Sequence, residues 1–176
     1  MQEDEQQQVF DGWLRNHQGL FFKVVRAYAF TPQDQEDLFQ EIATQVWRSI
    51  PGFRGDAAVT TWIYRVALNA AIAWTQKEQR HRAGKQGLDG VAPAMLQAAP
   101  APDPRVEWLY EQIRQLNEID RSLTLLLLDG FSYKEMAAML GITENHVGVK
   151  INRIKARLSG KSKEASKSRE EVADGV

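Results

Sequence analysis

Residues 129–158 read DGFSYKEMAAMLGITENHVGVKINRIKARL, and this stretch spells two short helices with a tight turn between them. Asp129-Gly130 marks a turn. Ser132 followed three residues later by Glu135 predicts a capping box, each side chain satisfying a backbone N–H that the first helical turn leaves without a partner. Met136, Ala137 and Leu140 then share an inward face, and Gly141 supplies a left-handed stop. Thr143 caps the next helix, which runs from Glu144 to about Leu158. Its spacing buries Val147, Ile151, Ile154 and Leu158 and turns Asn145, Val149, Asn152 and Arg153 outward. Residues 145–157 hold four bases, Lys150, Arg153, Lys155 and Arg157, and no acid. A short helix, a glycine turn and a basic helix fit the major groove of DNA. On spacing alone, an ordinary helical hairpin with a solvated basic face stands beside that reading.

Upstream, residues 84–105 break the helical pattern: 12 of these 22 residues are Gly, Pro or Ala, and four of the six prolines lie here. Pro93, Pro100, Pro102 and Pro104 are unsuited to helix interiors, since each lacks an N–H and clashes with the preceding turn. The segment reads as a flexible linker, with helices resuming near Val106 and running to about Leu116, then through the leucine run to Leu128. Before the linker, Phe10, Trp13, Leu14, Phe21, Val24, Val25 and Tyr28 recur at helical spacing. A second helix is expected from about Pro32 to Ile50. Leu38, Ile42 and Val46 point inward there, and Asp37, Glu41, Thr44 and Arg48 stack on the other face. Pro51-Gly52 ends it, a loop covers residues 53–59, and Thr60 or Thr61 caps a third helix to about Arg82 that buries Trp62, Val66 and Ala70. No stretch alternates with strand period. The expected fold is all-α: a first helical domain over 1–83, the linker over 84–105, a second helical domain over 106–158, and a disordered polar tail over 159–176.

Composition narrows the function. Twenty-two Lys and Arg against 23 Asp and Glu give a net charge of −1, so any nucleic-acid contact must come from local clustering. Residues 48–82, with six bases and two acids, form one such cluster. Zero cysteines exclude a disulfide framework and a cysteine zinc finger, and suit a cytoplasmic location. The polar, acidic N-terminus is the reverse of a signal peptide, and the longest apolar run, 123–128, is too short for membrane insertion. His17, His81 and His146 are scattered, and no nucleophile motif or glycine-rich phosphate loop occurs. No catalytic residue, metal or cofactor is expected, and the chain does not read as an enzyme.

The two blocks flanking the linker resemble the sigma-70 family of bacterial RNA polymerase sigma factors, extracytoplasmic-function (ECF) group, over most of residues 10–158. Asp34-Gln35-Glu36-Asp37-Leu38-Phe39-Gln40-Glu41, continuing to Val46-Trp47, is similar to the family segment that docks on the clamp of the polymerase β′ subunit. That resemblance implies core binding through Asp37, Leu38, Gln40 and Glu41; a solvated acidic face is the bland alternative. The stretch from Phe53-Arg54-Gly55-Asp56 through Thr60-Thr61-Trp62-Ile63-Tyr64-Arg65 to Asn69 resembles the segment that opens and reads the minus-ten element. Arg54, Tyr64, Arg65 and Asn69 are its implied base-capturing groups, with Lys77 and Arg80 on phosphates. Residues 129–143 resemble the helix-turn-helix that reads the minus-thirty-five element. This implies promoter DNA contacts from His146, Gly148, Val149, Lys150, Asn152, Arg153 and Lys155.

Three departures stand out. Gly148 replaces a basic or polar residue, Asn145-His146 replace a Gly-Thr pair, and Asn117 replaces a proline before the second helix of this domain. The resemblance implies an initiation subunit that recruits polymerase core to promoters, with an anti-sigma protein as a further partner. The rival is a conventional helix-turn-helix regulator whose residues 1–83 sense a ligand or dimerise. An inhibitory partner-binding module would not need the basic last helix.

Overall fold

Side-chain caps set most of the helix starts. The computed structural model describes residues 3–83 and 103–173, with side chains described over 3–80 and 103–163, and every regular element among the described residues is helical. Helix α1 spans Glu3–Tyr28 and bends at His17, whose φ/ψ of −121°/19° leaves the helical region. Thr31 Oγ1 accepts from the Asp34 N–H and opens α2, Pro32–Ser49, with Pro32 in the first turn where its missing N–H costs nothing. A single 3₁₀ turn, Ile50–Gly52, follows. Helix α3, Val59–Ala83, starts earlier than expected: the Trp62 N–H already reaches the Ala58 carbonyl, so Thr60 and Thr61 lie inside the helix and do not cap it.

In the second half, Asp103 caps α4, Pro104–Arg114, through the Arg105 N–H, so this helix begins two residues before Val106. The rest of the expected linker lies outside the described residues. Asn117 caps α5, Glu118–Leu128, by accepting from the Asp120 N–H. The residue that departs from the family's proline therefore performs the boundary role by hydrogen bonding. Helix α6, Tyr133–Leu140, has both halves of the Ser132/Glu135 capping box and ends at Gly141 with φ +67°. The Thr143 hydroxyl accepts from the His146 N–H at the start of α7, Glu144–Ala173. Residues 159–173, expected to be disordered, continue this helix: the segment has no proline and is rich in Lys, Glu, Ala and Arg, all good helix formers.

Helices α1, α2 and α3 pack as a bundle around Phe21, Val24, Leu38, Ile42, Val46 and Ile63, all fully buried. In the second bundle, Ile113, Leu123, Leu126, Met136, Val147 and Ile151 are likewise buried among α4 to α7. The α3 helix is covered on two sides. Ile63, Ala67 and Ala70 lie on one face and Tyr64, Leu68, Ala71 and Thr75 on the next, all buried. That moves the buried phase off the expected Trp62 and Val66, which are only partly covered. The second side is covered because α5 and α6 pack against α3.

The contact between the bundles joins apolar packing, with Leu68 and Ala71 of α3 fully buried in a core continuous with the second bundle, to a set of polar contacts. Asp129 gathers two groups from the first bundle: Lys23 Nζ at 2.5 Å on one carboxylate oxygen, and the Tyr64 hydroxyl, donating at 2.5 Å, on the other. The Tyr64 ring meets Phe131 edge-on at 5.4 Å. The Tyr28 hydroxyl lies 2.5 Å from the Glu118 carbonyl, to which it donates, and 2.6 Å from Ser122 Oγ. Arg26 pairs with Glu107 and lies over the Tyr110 ring, 4.2 Å from its centroid. Arg121 sits 5.5 Å from the Tyr28 ring centroid and 5.2 Å from that of Phe30. Its Nε and Nη2 donate to the Leu116 and Arg114 carbonyls, while its Nη1 is buried without an acceptor.

Candidate nucleic-acid interface

Three exposed polar faces emerge once the buried residues are removed. On α2, Asp37, Gln40 and Glu41 are exposed opposite the buried Leu38, Ile42 and Val46. Their carboxylates are steadied one turn away, Asp37 by the Gln33 amide at 3.0 Å and Glu41 by the Gln45 amide at 2.8 Å. The face is an acid-amide strip in fixed register, suited to a basic partner surface.

On α3, Arg65, Asn69, Lys77 and Arg80 are exposed along one stripe. The Arg65 guanidinium rests 4.7 Å over the Trp62 ring, one turn back along α3, and that contact limits where its charge sits. Arg54 is exposed in the loop that leads into α3, where Gly55 takes φ +78°, a conformation that favours glycine. Phe53 anchors the foot of that loop, meeting Trp13 at 5.2 Å and Trp62 at 5.5 Å, both edge-on. Trp62 Nε1 donates to Ser49 Oγ at 2.9 Å. The half-buried Trp62 is thus neither plain core nor a free stacking platform: it braces both the loop and Arg65. The sequence reading missed Trp13 and Phe53 as loop anchors, although Phe53 directly precedes Arg54.

On α7, His146, Val149, Asn152, Arg153 and Lys155 are exposed. The backbone start of the helix-turn-helix is held by Glu135, whose carboxyl is pulled below its usual value by the Ser132 hydroxyl and N–H. No group of three or more His, Cys, Asp or Glu able to hold a metal occurs among the described residues. None of the described helices is long and apolar enough to cross a membrane.

Residues 13–81 match the family model for sigma-70 region 2, and residues 106–158 match that for sigma-70 region 4, together well over half of the chain. The chain belongs to the sigma-70 family. Among curated relatives, this sigma factor is 28% identical over 141 residues to the ECF RNA polymerase sigma-E factor of Escherichia coli (strain K12), covering 73% of each chain. It is 27% identical over 155 residues to the ECF RNA polymerase sigma factor SigM of Mycobacterium tuberculosis (strain Erdman), covering 86% of this chain and 76% of that one. These relatives place it in the ECF group. In fold it resembles CnrH, solved with the cytosolic domain of CnrY, at TM-score 0.62 and 20% identity over 89% of each chain. It also resembles the sigma factor RpoE of Bartonella quintana, solved with the anti-sigma factor NepR, at TM-score 0.58 and 20% identity over 85% of this chain and 98% of that one. The match over 13–81 leaves a sensor or dimerisation domain, and with it the conventional regulator, unfavoured.

Within this sigma factor, four expected contact residues do not present the surface expected of them. Leu38 is fully buried in the first bundle and offers a polymerase no surface; it fixes the helix that presents Asp37 and Glu41. Tyr64 is also fully buried, one position off the exposed Arg65 stripe, because its face of α3 is covered by the second bundle. Burial and the Asp129 carboxylate both push its hydroxyl pKa far above the usual tyrosine value, so it stays a neutral donor. Lys150 is tied to Asp120 of α5 at 2.8 Å, with a side chain only 21% exposed, so its charge is already paired. Gly148 lies half-buried beneath another residue's ring rather than presenting an open edge.

Proposed function

We propose that the three exposed faces divide the work of promoter-specific initiation. The sigma factor binds RNA polymerase core and directs it to promoters. In the proposed division, Asp37, Gln40 and Glu41 dock on the β′ clamp. Arg54, Arg65 and Asn69 capture the opened minus-ten strand while Lys77 and Arg80 hold its phosphates. The outer face of α7, His146, Val149, Asn152, Arg153 and Lys155, enters the major groove at minus thirty-five. One observation carries this reading: Arg65, Asn69, Lys77 and Arg80 share a single exposed side of α3, with Arg65 propped on Trp62. A backbone-tracking row of positive charge flanking a hydrogen-bonding amide supplies the phosphate-holding and edge-reading parts of single-strand capture.

The protein acts in the cytoplasm and has no catalysis of its own; the polymerase supplies the chemistry. An anti-sigma protein is a further partner, supported by the fold shared with an RpoE solved in such a complex. The test is run-off transcription by purified core polymerase with the Asp37→Lys/Glu41→Lys double variant. Both positions are exposed, so the variant is expected to keep its helical signal and lose core binding. Retained binding would end the docking assignment. Arg65→Ala and Asn69→Ala are expected to leave core binding intact and to lower open-complex formation, read by permanganate footprinting of unpaired thymines.

A further inference from the structure

Gly148 leaves a gap where the outer face of α7 meets its buried stripe, and a residue from another helix fills it. A Cβ placed on Gly148 would lie 3.6 Å from Cε2 and 3.8 Å from Cδ2 of Tyr133, so the Tyr133 ring, from the first residue of α6, lies over bare glycine backbone. Tyr133 remains 36% exposed, and Val149, the next residue along α7, is 42% exposed. These are two of the five large hydrophobic side chains exposed among the described residues: the Tyr133 ring covers Gly148, and Val149 follows it on the face that also carries His146, Asn152, Arg153 and Lys155. No interior packing accounts for Val149, since the buried stripe of α7 is Val147, Ile151 and Ile154.

In the major groove, the C5 methyl of thymine is the one apolar group on any base edge, and it is read by apolar side chains. Adenine is read by the paired donor and acceptor of an amide. Asn152 follows Val149 by three residues, on the same side of the helix and exposed. We infer that Tyr133 and Val149 form an apolar strip across Gly148 that reads thymine methyl groups, next to an adenine held by Asn152. Gly148 is what makes the strip possible: a long basic side chain there would displace the ring and carry charge into the same space. The inference rests on α7 entering the major groove at minus thirty-five and names what it reads there.

The test uses holoenzyme, core polymerase with the full chain, to select binders from duplexes randomised across the upstream element. Selected thymines are then replaced one at a time by deoxyuridine, which removes only the methyl group. At least one such replacement is expected to weaken binding about fourfold, the value of one buried methyl. In the Tyr133→Ser/Val149→Ser double variant that ratio is expected to fall to one, and because it is taken within a single variant, a general loss of affinity leaves it unaffected. Gly148→Lys is expected to weaken the same dependence and shift selection toward guanine. If the selected element holds no thymine, or deoxyuridine binds as well as thymine, or the double variant keeps the penalty, the strip is wrong. The major-groove reading still stands in those cases if Asn152→Ala and Arg153→Ala abolish selection. If no upstream sequence is enriched and those two variants bind normally, that underlying reading fails and the strip fails with it.

Discussion

Between α1, α2 and α3 the contact is Phe21, Val24, Leu38, Ile42, Val46 and Ile63, while between that bundle and α4 to α7 the apolar Leu68, Ala71 and Phe131 are joined by Lys23, Arg26, Tyr28, Tyr64, Arg121 and Asp129. The first contact is non-directional and grows with apolar area removed from water. The second depends on geometry, and it is imperfect, since Arg121 Nη1 is buried with no acceptor and burial lowers the pKa of that guanidinium. A contact between bundles that leans on polar, partly unsatisfied groups beside its apolar part is of the kind that separates and re-forms more readily than a core that is apolar throughout.

The sharpest way to probe that contrast is to damage each side once. Leu38→Ala is expected to cost about 2–5 kcal/mol, from the lost transfer energy and the cavity left behind, as measured by urea unfolding. Asp129→Ala leaves the buried Tyr64 hydroxyl without its acceptor and is expected to cost about 1–3 kcal/mol. Its distinguishing sign is an increased radius in small-angle scattering with the helical signal retained. A loss of helix equal to that of Leu38→Ala would erase the distinction between seam and core.

Alkaline titration sharpens it further. Tyr28 and Tyr64 both have hydroxyl pKa values raised by burial far above the unfolded value near 10. A raised folded pKa means stability that is complete below about pH 10 and is lost as the pH climbs toward the folded value. At one pH unit above 10, each of these tyrosines is expected to cost about 1.4 kcal/mol. Tyr64→Phe should flatten part of that alkaline slope, and an unchanged slope would show that the seam is already open in solution.

The smallest effect is expected at Gly148→Ala. It gains about 1 kcal/mol of helix propensity, because the new methyl would meet Tyr133 at an ordinary contact distance. A loss instead would show that the ring packs more tightly on α7 than on a free surface.

The same contrast explains what could be read from the residues. The start of α2 near Pro32 and the caps and stops at Ser132/Glu135, Gly141 and Thr143 are local chemistry and legible, as is the buried stripe of α7. The phase of α3 was not, because a helix covered on two sides loses the one-faced pattern that periodicity detects. Tyr64 and Lys150 were assigned to DNA by motif position, but their partners, Asp129 and Asp120, lie 65 and 30 residues away along the chain. No short-range pattern encodes a hydrogen bond of that reach. Leu38 shows a simpler limit: a docking motif includes the residues that hold the surface as well as those that form it. The helical course of residues 159–173 shows that polar composition alone does not forbid a helix.

The polar seam has a consequence measured with a ruler. Elements named minus ten and minus thirty-five are separated by about 25 base pairs, or roughly 85 Å of B-form duplex at 3.4 Å per step. A compact chain of this length has a radius of gyration of about 16 Å, and its longest element, the 30-residue α7, is about 45 Å long. Under the proposed assignment, a molecule with Tyr64 on Asp129 is too short to span its own promoter. Asp129 then acts as a clasp on a folded rule: the protein can hold the seam or reach both elements, but not both at once.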